Sequence, residues 1–498
     1  MKELTLEYGQ RLIDIFKQKA RKSIEKRRLD DAIAYIKAAA WTKYDFYIGY
    51  TDKELELYLS QISQYVFQHR NHENKVHNGI VLIDVFSLDT QGLSAQYINA
   101  IISTGSRLLY IHRNDLGNQS TLYQTLISYP RAEIVKVPKK ISGVEQAKWI
   151  YNKIMDFGAS NVLMHLLPDS AAECIALHAL PKEISKFQID LTDHAFWLGT
   201  KCSDYTIEFQ QIGCSLSYKE RGYKLEQILL LPFYPIINNH PFEGFPPLKK
   251  DAIKIFSGGA YYKVLDSEDT FFRLSKKLLE NNPKAVILFA TNDPQGVIKR
   301  KVEQYDLKKQ FIILPFRKDI SAVFENIDIY LETYPVGGGL MCQYAANFAI
   351  PILNYKNESS EDSVGQKHKV SFTSDTEESF IQESMKLCNN SAYRKENGKF
   401  LKDAVISVNE FNVGFNDIIK KRTTPFKLNF ESACYTIDQK AKITSLNASN
   451  AFNVRILRIL GLRRSLLLMP LMLFCETPYL LQNKIRLFLS KQKTVSHL

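Results

Sequence analysis

The stretch IDIYLETYPVGGGLMCQYAANFAIPILNY, residues 327–355, carries the pattern from which the fold is read. An apolar, isoleucine-containing run ends at Glu332. Three glycines follow, Gly337, Gly338 and Gly339. A helix is expected over Met341–Phe348, opening at about Leu340, and a further apolar run opens at Ile350. Strand, glycine-rich turn, helix and strand in this order make the βαβ unit of a parallel sheet. The first N–H groups of such a helix, together with its macrodipole, favour an anion. The glycines remove side chains that would hold a ligand away.

The alternation extends outward from this unit. Upstream lie IKIFSGG, AVILFAT and QFIILPF as strands, separated by helical Thr270–Asn281, Gly296–Tyr305 and Ile320–Asn326. Before them, LPFYPIINNHPFEGFPPLKK (Leu231–Lys250) is rich in Pro, Asn and Gly and reads as an interdomain linker. Further back, IVLIDVF (Ile80–Phe86), RLLYIHR, AEIVKV, NVLMHLL and FQIDLT read as buried strands between helices such as Gly143–Phe157. The expected fold class is α/β: two Rossmann-like domains facing across a cleft, with N-terminal helices and a C-terminal amphipathic helical tail. The expected boundaries are an N-terminal helical segment over 1–75, a first Rossmann-like domain over 76–235 and a linker over 236–250. A second Rossmann-like domain spans 251–404, a closing helix and connector 405–451, and a basic tail 452–498.

Composition narrows the function classes. The chain has 498 residues, 45% hydrophobic and 24% charged, enough for normal cores and unlike a disordered chain. Its net charge of +12 favours an anionic partner, but the excess gathers at the two ends, so no nucleic-acid groove is expected. Seven widely spaced cysteines without a CxxC pair argue against a disulfide framework or a zinc site, and no metal is expected. Neither a signal-peptide core nor a membrane-spanning run is present, which places the chain in the cytoplasm. In the tail, Arg455, Arg458, Arg463, Arg464, Lys484, Arg486, Lys491 and Lys493 interleave with apolar residues. Such a segment suits the anionic surface of a bilayer, hence a peripheral position at the inner face of the cell membrane.

Four segments supply candidate chemistry. In FSGGAYYK (Phe256–Lys263), Ser257, Gly258 and Gly259 let backbone N–H groups approach an anion, and Lys263 adds a mobile cation. In LPFRKDI, Phe316 is placed to stack on a base, and Arg317 or Lys318 to meet a phosphate. In QIDLTDHAFWLG (Gln188–Gly199), Asp190, Asp193 and His194 end an apolar strand beside Phe196 and Trp197, a combination suited to proton transfer or to binding sugar hydroxyls. The loop Asp89–Tyr97 follows the first strand, and Gly92 permits close approach of an acceptor there.

The run from Phe256 to Tyr355 resembles the nucleotide-binding half of GT-B glycosyltransferases, and most of all the catalytic region of O-GlcNAc-transferase-type enzymes. AYYK sets Lys263 where that family has a lysine on the donor diphosphate, and LETYP, GGG and FAIP follow the family's order of strand end, glycine-rich loop and helix end. DHAFWLG resembles the acceptor half more loosely. The resemblance implies a metal-independent hexosyl- or N-acetylhexosaminyl-type transferase with inversion at the anomeric carbon. Its donor is a UDP-sugar, a substrate rather than a cofactor, and its acceptor a saccharide, a lipid-linked glycan or a protein, in bacterial polysaccharide or glycoconjugate assembly. Lys263 and the backbone at Gly337, Gly338, Gly339 and Leu340 would meet the diphosphate, and His194 or Asp193 would act as base or bind the acceptor. The chain departs from the family most clearly at one position, and Gly339 and Leu340 likewise stand where the O-GlcNAc family has polar residues. Seven positions before Pro351, where related enzymes carry an acid on the donor ribose, stands Tyr344, which leaves its neighbour Gln343 for that contact. The departure also opens the alternative of a catalytically degenerate subunit that binds glycan or a partner transferase.

Overall fold

A computed structural model describes residues 4–68, 79–86, 92–113, 120–190, 192–293, 296–356, 358–428, 439–447 and 451–468. The first sheet is built from β1 (Gly79–Asp84), β2 (Arg107–His112), β3 (Ala132–Lys136), β4 (Asn161–His165), β5 (Ser185–Ile189), β6 (Tyr205–Glu208) and β7 (Ile228–Leu230). The second comprises β8 (Ile253–Gly258), β9 (Ala285–Ala290), β10 (Phe311–Leu314), β11 (Ile329–Leu331), β12 (Ile352–Tyr355) and β13 (Thr373–Ser374). Every strand pair is parallel, in the orders β3-β2-β1-β4-β5-β6-β7 and β10-β9-β8-β11-β12-β13. Each sheet reverses its winding once, between β1 and β4 and between β8 and β11. A crevice opens at the carboxyl ends of the strands at such a point, and ligands of open α/β sheets bind there.

Alternating residues of the central strands explain why both faces are covered. Ile80 and Leu82 of β1 enter one apolar layer, and Val81 and Ile83 enter another. The second layer is completed by helices Leu6–Glu25, Leu29–Asp45 and Lys53–Phe67, so the N-terminal segment is part of the first domain's core. The first layer is closed by helix Leu93–Ser103 and by helix Val408–Lys421, whose Phe411, Phe415 and Ile418 return from beyond the second domain.

Strands β6, β7 and β13 escape the sequence pattern. β6 is four residues long, and its Thr206 and Glu208 turn into a buried polar network; β7 and β13 have three and two residues. Helix Ala451–Leu468 packs on the protein body, burying Phe452, Ile456 and Leu460 against the N-terminal layer. Arg455 pairs with Asp45 at 2.6 Å and Arg464 with Asp31 at 2.5 Å, so these cations hold the helix to Leu29–Asp45 and do not line a lipid-facing side. Residues 469–498 lie outside the described residues. Among the described residues no helix is long and apolar enough to cross a membrane.

Candidate functional site

On the second domain, the carboxyl ends of β8 and β11 bring the predicted diphosphate elements together. Lys263 lies in a single 3₁₀ turn, Tyr261–Lys263, after β8, and its Nζ donates to Gly337 O at 3.2 Å. Gly338 caps helix Gly339–Asn347, and a Cβ on Gly338 would stand 3.4 Å from that Nζ. The cation therefore rests at the mouth of a helix N-terminus. Glu332, which ends the β11 segment, accepts the Gly338 N–H at 2.6 Å and shapes the loop, while Cys342 donates to its other oxygen. The next N–H groups of the first turn, from Gly339 and Leu340, have no intrahelical acceptor. Gly339 is required by crowding: a Cβ there would stand 2.4 Å from Ser363 Oγ.

On the first domain, the segment after β5 is organised by a buried cation. Arg221 lies between the rings of Tyr50 and Trp197, donates to Asp193 O at 2.6 Å and Ala195 O at 3.0 Å, and faces Asp190 at 3.5 Å. Asp190 also receives the Trp197 indole N–H at 3.3 Å and the Thr192 N–H at 2.9 Å. Behind it Glu208 accepts from Thr206 at 2.7 Å and Ser217 at 2.5 Å. Burial raises both carboxyls above their ordinary range, and for Glu208 the neighbouring Asp190 adds to the rise. His194 is partly exposed, set edge-on to Tyr47, with Nδ1 3.4 Å from Asp193.

The loop is also held from the N-terminal layer. Glu56, fully buried, accepts from Gly199 N at 2.8 Å and Lys201 N at 3.2 Å. Burial raises its pKa from 4.5 to about 7, against the lowering effect of those N–H groups. Because the folded pKa lies above the unfolded one, the folded state holds the proton longer, and stability falls as pH rises through 4.5–7. Relative to Glu56→Gln, wild type is expected to lose ~3 kcal/mol across that window, measured by denaturant titrations at several pH values.

The two halves meet through a short relay. Gln210, which follows β6, donates to Asp193 and accepts from Ser363 Oγ at 2.8 Å. Ser363 belongs to helix Glu358–Val364 and is the residue that crowds Gly339. Its neighbour Asp362 accepts the Ile212 N–H at 3.0 Å from across the cleft, and burial lifts its pKa to about 6. The acidic–histidine segment and the glycine turn are thus joined by two side chains that sequence reading missed. Gln210 and Ser363 carry no motif, and only the fold brings them together.

Other predicted residues are used differently. Ser257 is buried at the end of β8, and a Cβ on Gly258 would stand 2.7 Å from Ala290 O, so this glycine serves strand packing. Gly259 holds φ at +157°, with its N–H on Ala290 O at 3.0 Å. Phe316 is 64% exposed, open to a stacking partner. Arg317 is bound by Asp319 at 2.5 Å and Gly244 O at 2.7 Å, between Phe242 and Phe245, and so fastens the linker to the second domain. Gln343 is buried and donates to Ser363 O at 2.8 Å, which positions helix Glu358–Val364. Tyr344 is buried against Phe324 and donates to Ile236 O of the linker at 2.6 Å. Gly92 caps helix Leu93–Ser103, and residues 89–91 of its loop lie outside the described residues. A groove of about 1170 Å³, lined by Gln210, Asp362, Lys369 and Lys427 among others, runs beside helix Glu358–Val364; the glycine turn and Lys263 do not line it.

Two parallel sheets of this order, with the glycine turn and Lys263 on the second and the acid–histidine segment on the first, form a GT-B fold. Among solved structures, a mutant O-GlcNAc transferase from Thermobaculum terrenum matches with a TM-score of 0.51 at 13% identity, over 84% of this chain and 83% of that one. A glycosyltransferase from Rickettsia africae matches at 0.52 and 12%, over 70% of this chain and 99% of that one. HepE from Anabaena, solved with UDP and glucose, matches at 0.50 and 11%, over 69% and 100%. No protein-family model and no curated protein matches the sequence.

Proposed function

We propose that the chain is a glycosyltransferase that moves a hexosyl or N-acetylhexosaminyl group from a UDP-sugar to a hydroxyl of a saccharide, lipid-linked glycan or protein. The observation that carries this reading is the placement of Lys263 Nζ on Gly337 O, at the N-terminus of helix Gly339–Asn347 and at the winding reversal of the second sheet. A diphosphate seated there gains negative charge as the glycosidic bond breaks. The ammonium and the N–H groups of Gly339 and Leu340 stabilise that charge without needing a metal. Phe316 offers an exposed ring for the base. His194 and Asp193 sit on the acceptor side and hold its hydroxyls. UDP is the favoured nucleotide because HepE, of the same fold, was solved with it.

The test is release of UDP from a panel of UDP-sugars, with and without glycoside acceptors. Turnover of at least one donor is expected. A second reading, a degenerate subunit, is favoured by Tyr344: its hydroxyl serves the linker, and no acid stands there for a ribose. A wild-type chain that binds UDP yet turns over no donor would select that reading. For assembly at a bacterial membrane, residues 469–498 supply Lys484, Arg486, Lys491 and Lys493. A chain ending at Leu468 is expected to stop cosedimenting with anionic vesicles that retain the full-length chain; equal retention would remove the membrane from the account.

A further inference from the structure

We infer that His165 is the general base for the acceptor hydroxyl and that Asp84 is its positioning residue, an assignment that rests on the glycosyl-transfer reading above. β1 ends at Asp84 and β4 at His165, directly opposite each other in register. They stand at the one place where the first sheet reverses its winding, the place at which a ligand of this domain is expected. Asp84 Oδ1 lies 3.1 Å from His165 Nδ1, and Ser94 Oγ lies 3.1 Å from the same nitrogen. Tyr110 donates to Asp84 Oδ2 at 2.7 Å. Asp84 is 0% and His165 3% exposed, and the Phe86 ring lies across the imidazole at 4.6 Å.

The far side of the ring is different. His165 Nε2 is buried with no hydrogen-bond partner among the described residues. A carboxylate beside Nδ1 fixes the ring proton there and leaves the Nε2 lone pair as the basic site. Burial works to raise the Asp84 carboxyl, but its bonds to His165, Tyr110 and Ser94 outweigh this and hold it below its ordinary value. It thus remains an anion able to balance the imidazolium that forms. An orphaned buried nitrogen is costly and calls for a partner, which an acceptor hydroxyl would supply. His194 is less well built to act as the base, because its Nδ1 is 3.4 Å from Asp193, whose other oxygen is held by Gln210.

In the transfer step, the acceptor O–H proton passes to Nε2 as the acceptor oxygen bonds to the anomeric carbon. The bond from that carbon to the diphosphate oxygen breaks, and its electron pair leaves with UDP beside Lys263. β4 and β5 are parallel neighbours, with Met164 opposite Gln188, so His165 leaves the sheet at the same edge as the acceptor-side segment Asp190–His194.

The test measures UDP release from UDP-glucose and UDP-N-acetylglucosamine, with water or p-nitrophenyl glycosides as acceptors, beside UDP affinity by calorimetry. His165→Asn puts an amide near the Nδ1 position, keeps a donor for Asp84 and removes Nε2. It is expected to lower kcat at least 100-fold with UDP affinity unchanged within threefold. Asp84→Asn is expected to lower kcat at least tenfold with donor KM unchanged. His165→Gln serves as the second variant if His165→Asn does not fold. The assignment is overturned if a folded His165 variant keeps more than a tenth of wild-type kcat, or if UDP affinity falls along with turnover. Wild type that binds UDP but releases none from either donor overturns it too, while leaving the donor site standing. Absence of UDP binding to wild type sinks the glycosyl-transfer reading itself.

Discussion

Lys263→Ala is expected to weaken UDP binding by about 10- to 150-fold, the equivalent of ~1.5–3 kcal/mol for a hydrogen bond to a charged group. Lys263 Nζ rests on Gly337 O, so in the unliganded chain the ammonium is already poised over the glycine turn. A diphosphate arriving at the helix N-terminus meets it without a large side-chain rearrangement, and little ordering entropy offsets the gain. Stability should change little, since the side chain is only half-buried and, among the described residues, its bond is to a turn carbonyl. Thermal-shift titration separates the two effects. Wild type at 100 times its dissociation constant gains ~2.7 kcal/mol, and the variant at the same UDP concentration should show a small fraction of that shift from an unchanged baseline.

Arg221→Met is expected to destabilise the first domain by ~3–5 kcal/mol, the cost of removing one member of a buried charged cluster. The methionine keeps much of the packing between Tyr50 and Trp197 but loses the donors to Asp193 O and Ala195 O. It also leaves Asp190 and Glu208 without their cation. Both carboxyls then favour protonation still more strongly, so the penalty should be larger at pH 8 than at pH 5. Denaturant titrations of wild type and variant at the two pH values check both the size and the trend. Because Arg221 holds the backbone of Asp193 and Ala195, a folded remnant of the variant should also be slack around Asp193 and His194.

Much of the architecture was legible because parallel strands buried on both faces read as apolar runs: GIVLID, RLLYIH, AVILFA and IDIYL each declare themselves. The short strands were not, since Thr206 and Glu208 of β6 point into a polar network that only the folded chain supplies. The juxtaposition of the glycine turn and Lys263 was foreshadowed because each follows a strand of the same parallel sheet, and the structure sets them side by side. Arg317 and Gln343 could not be resolved from sequence. In sequence, a basic or amide side chain does not declare its partners within the fold, here Asp319 for Arg317 and Ser363 O for Gln343. Asp84 and His165 left a faint signal, a titratable residue closing an otherwise apolar strand in IVLID and again in NVLMH. Their distance apart in the chain hid the pairing that β1 and β4 create.

A crystal of the chain soaked with UDP would locate the diphosphate. The diphosphate is expected within hydrogen-bond distance of Lys263 Nζ and of the N–H groups of Gly339 and Leu340, at the carboxyl ends of β8 and β11. A diphosphate bound instead in the groove beside Lys369 and Lys427, with Lys263 still resting on Gly337 O, would contradict it.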